Sequence, residues 1–308
     1  MKMSINSMLL ITTLSVAMWG CAAADTVVGV DPANVKVAAA NANAVTIVSD
    51  TASQDSSKFD FFRDHSFEIK EEVQDARAEA VTMQNEIDRV TKIAKKYSEY
   101  TSMAVTEEEK QIASGLARSV WECELNTLCA RAAGISDVKK EKILNDQKNW
   151  SILKDEVVSN YISEGKDGKE ADKQLASEYL ETVTKNRCII LAKAIADSRE
   201  DEEFEMPERS VYGTFADSQD NADMLSSFLI TRKADDGTNV ALISIHQMAL
   251  LEGTFKDKGN GELEFIGNRN NIKGTIKLDG WEGATLEITN SSDEIYNVGL
   301  HYTFDLAF

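Results

Sequence analysis

"SREDEEFEMPERS", residues 198–210, divides this chain in two. The stretch is acidic and holds Pro207, one of only two prolines among 308 residues. Proline removes a backbone donor and stops a helix. The apolar period also changes here. Upstream, apolar residues recur at spacings of three and four; downstream they alternate. The pattern predicts an α+β protein: an N-terminal antiparallel helical bundle followed by a small antiparallel β barrel or sandwich.

Working back from the boundary, residues 58–199 read as the bundle. Ile69, Val73, Ala76, Ala80, Met83, Ile87, Val90, Ala94 and Tyr97 form one apolar seam, which predicts one long first helix. Such a seam also suits an intermolecular coiled coil, although small alanines and the helices that follow favour packing within the chain. Thr106 and Glu109 form a capping box that starts a second helix, and Gly134 suits its end. Ser136 is placed to cap a third helix running to about Tyr161. A polar loop, "SEGKDGKEAD", leads to a fourth over about 171–198. Four helices with short links read as a bundle.

Working forward, residues 200–209 form an acidic linker and residues 210–308 a β domain. Eight short alternating runs follow one another: "SVYGTF", "SSFLITRK", "VALISIH", "LLEGTF", "GELEFIG", "IKGTIKL", "ATLEIT" and "VGLHYTFDLAF". Turn residues punctuate them, as in "ADDGTN" and "KDKGNGE". "GTFAD" at 213–217 is echoed by "GTFKD" at 253–257, which suggests a meander. Leu300, Tyr302, Phe304, Leu306 and Phe308 alternate like the last strand of an outer-membrane barrel. Membrane strands need about 9–11 residues and an apolar outer band. The other runs are shorter and charged, so the final run is expected to be the edge of a soluble sheet.

At the other end, residues 1–24 have the layout of an export signal: Lys2, the apolar run "MLLITTLSVAMWG", then "CAAAD". The run is too short to span a membrane. Two processing sites compete. Gly20-Cys21 resembles a lipobox, which would lipidate Cys21; Ala22-Ala23-Ala24 suits ordinary signal peptidase. Residues 25–57 lack a sustained period and are expected to be a disordered tether. The chain is thus placed outside the cytoplasm of a bacterium, in the periplasm or anchored to the outer membrane.

Lys plus Arg number 33 and Asp plus Glu 52, a formal charge of −19. Such a chain repels nucleic acid and anionic membrane faces, leaving a lipid anchor as its expected route to a membrane. It attracts basic partners. An oxidising compartment permits a disulfide. Cys123 and Cys129 are six residues apart, roughly 9 Å along one helix and too far to bridge. The expected bridge therefore joins Cys188 to Cys123 or Cys129, unless a helix break brings the local pair together.

One helical segment carries a recognisable signature. In "LNDQKNWSILKDEV", residues 144–157, Gln147, Trp150 and Lys154 share a helix face, with Asp155 beside them. A second piece follows on the next helix: Thr184, Arg187 and Leu191. Together they resemble the Q-x-x-W-x-x-x-R-D and T-x-x-R-x-x-x-L runs of LprI-type lysozyme-inhibitor domains, small helical domains of bacterial envelope proteins. The resemblance covers about residues 100–196. It departs from the family pattern at Lys154, where arginine is usual, and at Val158 and Tyr179, which lie near the usual cysteine positions. It implies non-catalytic binding and inhibition of a lysozyme-type cell-wall hydrolase. Physically, Trp150 is expected to fill the core with its N–H on one acceptor, and Arg187 to pair with Asp155.

Catalysis finds little support in the sequence. His65, His246 and His301 fall in separate elements without metal spacing, and no cofactor or metal is expected. No fixed nucleophile and base pair is recognisable. Glu262 and Glu264 are the kind of acidic pair this composition supplies by chance. "DKGNGE" and "DDGTN" read as turns before calcium loops. The alternative to an inhibitor is a structural or assembly protein of the envelope whose β domain binds a partner. An enzyme would require His246 and His301 to converge with carboxylates. Partner identity and oligomeric state stay open.

Overall fold

The computed structural model describes residues 59–135, 139–163, 173–199, 203–218, 227–246 and 250–308. The expected export signal, Cys21 and the tether lie outside these residues, as does Ser136. All described residues fall within one compact unit, Ser57–Phe308. The described residues form five α-helices followed by nine strands: an α+β chain whose sheet curls nearly into a barrel.

The apolar seam of the expected long helix is divided between two helices, α1 (Ser66–Ala78) and α2 (Met83–Glu99). Thr82 causes the break. Its backbone is extended, and its hydroxyl accepts from Asn85 N at 3.1 Å, capping α2. The two helices fold back on each other. Lys96 on α2 reaches Glu72 on α1 at 2.6 Å, and Arg89 reaches Glu79. The seam residues Ile69, Val73, Met83, Ile87, Val90 and Tyr97 are buried. Three-and-four spacing thus continued across a reversal, and periodicity alone does not register a change of direction.

A 3-10 turn (Tyr100–Met103) leads to α3 (Glu107–Ala133). The capping box is made: Glu109 N donates to Thr106 Oγ1 at 3.1 Å, and Thr106 N donates to Glu109 Oε2 at 2.9 Å. Gly134 closes the helix. The remaining helices are α4 (Lys140–Ser163) and α5 (Lys173–Asp197). α3 and α5 carry the longest buried stripes, including Trp121 and Leu128 on α3 and Val183 and Leu191 on α5.

The strands are β1 (Gly213–Ala216), β2 (Phe228–Lys233), β3 (Asn239–Ser244), β4 (Leu251–Gly259), β5 (Glu262–Gly267), β6 (Lys273–Leu278), β7 (Ala284–Asn290), β8 (His301–Phe304) and β9 (Leu306–Ala307). They pair antiparallel in the order β8-β7-β6-β5-β4-β3-β2-β1-β9. β8 and β9 are one extended run interrupted at Asp305, so the last strand borders both β7 and β1. That arrangement curls the meander towards closure. The eight alternating runs of the sequence are these strands. Phe215 and Phe255, the aromatics of the two GTF segments, both point inward.

Glycines permit the tight curvature. At the β4–β5 turn, Gly259, Asn260 and Gly261 all have positive φ, and a Cβ on Gly261 would lie 2.5 Å from Leu278 O. On β4, a Cβ on Gly253 would lie 2.3 Å from Ile266 O. A side chain cannot be accommodated at either place without moving backbone.

The barrel interior is filled by Phe215, Leu229, Phe265, Ile276, Leu286, Phe304 and their neighbours. The outer side differs around the barrel. β4 and β5 alternate buried and exposed residues, while every residue of β1 is buried. The helices cover that side. Ala216, Leu306 and Phe308 belong to the helical core, and Phe228 and Trp281 pack against it. The parts that the sequence separates at 200–209 therefore meet along a shared apolar interface.

Candidate functional site

The signature residues come together where α4, α5 and the barrel meet. α4 turns Trp150 inward, leaving it 2 % exposed, and its ring stacks on Phe308 with centroids 6.4 Å apart. The indole was expected to be closed over by helices; here the end of the barrel also covers it. Among the described residues its Nε1 has no hydrogen-bond partner, where the sequence reading expected one acceptor. The indole packs against Phe308.

Arg187 on α5 is buried, and its partner is not Asp155. Its Nε donates to Gln147 Oε1 at 2.6 Å, and Nη2 reaches Ile143 O at 3.4 Å. Asp155 is exposed and sits 3.4 Å from Lys154 Nζ. On α4, Gln147 and Trp150 face α5 while Asp155 points away. Burial lowers the Arg187 pKa to about 10, against the opposing influence of Asp146. Thr184 is buried and donates to Leu180 O at 2.6 Å; Leu191 is core. Of the motif, Gln147 and Arg187 pair across α4 and α5, Trp150, Thr184 and Leu191 are buried, and Lys154 and Asp155 lie outside.

Further polar contacts seal the same junction. Tyr179 and Thr214 hydroxyls meet at 2.6 Å between α5 and β1. Asn149 Nδ2 donates to Ser218 O at 2.7 Å. Asn186 and Arg209 both donate to Phe308 O, at 3.2 and 2.8 Å. The Arg209 guanidinium also lies over the Phe215 and Trp281 rings. The Tyr179–Thr214, Asn149–Ser218 and Asn186–Phe308 bonds fasten the two halves.

The expected bridge from Cys188 is not formed. The Cys188 thiol is fully buried and donates to Trp121 O at 3.4 Å across the α3–α5 contact; Cys123, Cys129 and Cys188 are all unbridged. Burial pushes its pKa well up and raises that of Cys129 despite nearby Arg187. Thiols held protonated are poor nucleophiles.

At one end of the barrel, Tyr302 OH donates to Asp217 Oδ2 at 2.6 Å and lies 3.0 Å from Ser227 Oγ. Ser227 Oγ accepts from His246 N at 2.9 Å, and the His246 ring meets Tyr302 edge-on at 5.3 Å. His301 lies opposite Glu287 in register and is exposed. Adjacent strand residues face opposite ways, so His301 points away from the Tyr302 side that His246 touches. The two histidines do not converge. Among the described residues, no group of three or more His, Cys, Asp or Glu is arranged to hold a metal. Glu262 and Glu264 are exposed on β5.

A surface groove of about 470 Å³ runs between α1 and α2. Glu72, Asp75 and Glu79 line one side, and Asn85, Arg89 and Lys92 the other. Opposite charges largely answer each other across it.

The sequence reasoning missed a polar cluster inside the bundle. Glu86 on α2 and Glu124 on α3 are buried, and Arg131 chelates Glu86 with contacts of 2.6 and 2.9 Å. The signal was present: Glu86 sits beside Ile87 between Met83 and Val90, and Glu124 beside Leu125 between Trp121 and Leu128. Both glutamates occupy seam positions.

No protein-family model matches the chain, and no curated protein or solved structure matches it either.

Proposed function

We propose that this chain is an exported, non-catalytic envelope protein that binds and inhibits a basic, lysozyme-type cell-wall hydrolase. The observation that carries the proposal is the Arg187–Gln147 hydrogen bond across α5 and α4, with Trp150, Thr184 and Leu191 buried. That is the scaffold role which the LprI-like signature implies. The formal charge of −19 would speed encounter with a basic enzyme. The filled barrel supports a binding surface over an internal ligand cavity.

The test uses the processed full-length chain and a c-type lysozyme at low and high salt. The account expects a complex and a loss of lytic activity at low salt, with weaker association as salt screens the charges. No complex and no inhibition at either salt rejects it.

A second reading, an assembly protein recognising a wall component, rests on the exposed outer faces of β4 and β5. Sedimentation of the full chain with purified peptidoglycan, without any hydrolase present, separates the two. Co-sedimentation without lysozyme binding favours the second.

A further inference from the structure

Glu124 is fully buried, and among the described residues neither carboxyl oxygen has a hydrogen-bond partner. It nevertheless lies in a charged setting. Arg131 Nη2 is 3.6 Å from its Oε1, beyond hydrogen-bond distance, because Arg131 turns its two donors to Glu86 instead. Glu86 Oε1 and Glu124 Oε1 flank the same Arg131 Nη2, at 2.6 and 3.6 Å, so Glu86 is the neighbouring acceptor for a hydrogen bond between the two carboxyl groups. Two ionised carboxylates cannot form that bond, since neither has a hydrogen to donate.

The charges leave the cluster short by one. Glu86 and Arg131 neutralise each other in a bidentate pair. Glu124 adds a second negative charge, and its side chain is wholly buried although that of Arg131 stays 27 % exposed. The groups facing it are Arg77 from α1, Glu86 from α2, Arg131 on its own helix and Cys188 from α5. Arg77 is half-buried, and its opposing influence on Glu124 ranks after that of Arg131. An uncompensated carboxylate inside a helical core is strongly disfavoured, and the group takes up a proton instead.

We propose that Glu86, Glu124 and Arg131 form a one-proton site that locks α2 against α3 when occupied and loosens the bundle when emptied. The proton resides on Glu124 and is donated to Glu86, which keeps its ion pair with Arg131. Burial is the main cause that raises the Glu124 pKa, to about 8, with the Glu86 charge next and Arg131 opposing. The sign follows from linkage. The folded-state pKa lies above the unfolded value, so the stabilisation is complete at acid pH. It declines once the unfolded chain ionises and is exhausted as pH rises through about 8. The bundle therefore tightens under mildly acidic conditions and relaxes under alkaline ones.

Glu124→Gln tests this in the full chain. The amide keeps the donor to Glu86 and cannot ionise. Its unfolding constant, relative to wild type, is expected to fall by up to about tenfold per pH unit between pH 6 and 8. A ratio that does not change with pH overturns the proposal. Infrared spectroscopy of the wild-type chain gives a readout independent of the variant's folding. A protonated carboxylic acid band should be present at pH 7 and disappear with a midpoint near 8; its absence at pH 7 also overturns the proposal.

Discussion

The two cores of this protein are built by opposite rules. Inside the barrel, Phe215, Leu229, Phe265, Ile276, Leu286 and Phe304 meet almost without charge. Inside the bundle, Glu86, Glu124, Asn149 and Arg187 are buried among aliphatic side chains. An apolar core depends on volume and shape, and is insensitive to pH. A core with buried ionisable groups depends on each partner being present. The difference teaches that the bundle is the conditional half of the molecule, and that the barrel feels those conditions through their shared interface.

The comparison can be broken most forcefully at the junction. Trp150→Ala removes a ring packed between α4 and Phe308 and is expected to cost about 3–5 kcal/mol. Chemical denaturation should show both halves destabilised together. Phe265→Ala in the barrel belongs to the same range, but its cost should be equal at pH 6 and pH 9. A pH-dependent loss there would erase the contrast. Arg187→Met keeps the volume and strands Gln147 Oε1, for an expected loss of about 1–3 kcal/mol. Thr106→Ala deletes the α3 cap and should cost about 1 kcal/mol, read as a lower thermal midpoint. Asp155→Ala should leave that midpoint unchanged, because the residue is solvent-exposed and lies outside the buried junction.

Much of this fold was legible in the sequence. Short apolar runs between turn residues located the strands, with alternation clearest on β4 and β5 and lost on β1, where the helices bury the outer face too. The Thr106–Glu109 box fixed the start of α3. The hairpin of α1 and α2 was hidden because Ala80 and Met83 extend the same spacing across the reversal; Thr82 was the available sign. Of the motif, Trp150 and Arg187 were placed inside as their chemistry demands, while the partner of Arg187 was missed. Asp155 offers charge, but helical geometry gives that place to Gln147. Phe308 was read as a sheet residue, and nothing local in sequence reveals that it covers a tryptophan far away in the chain. Glu86 and Glu124 were visible as seam positions but were not singled out in a chain with 52 acidic residues.

The most direct test of the coupled, unequal cores is hydrogen exchange along a urea series, followed by mass spectrometry at pH 6 and pH 9. The account predicts that peptides from α5 and from β1–β2 lose protection at one shared urea concentration, which is lower at pH 9 for both. Barrel peptides that stay protected after α5 has opened, with a midpoint unmoved by pH, would contradict it.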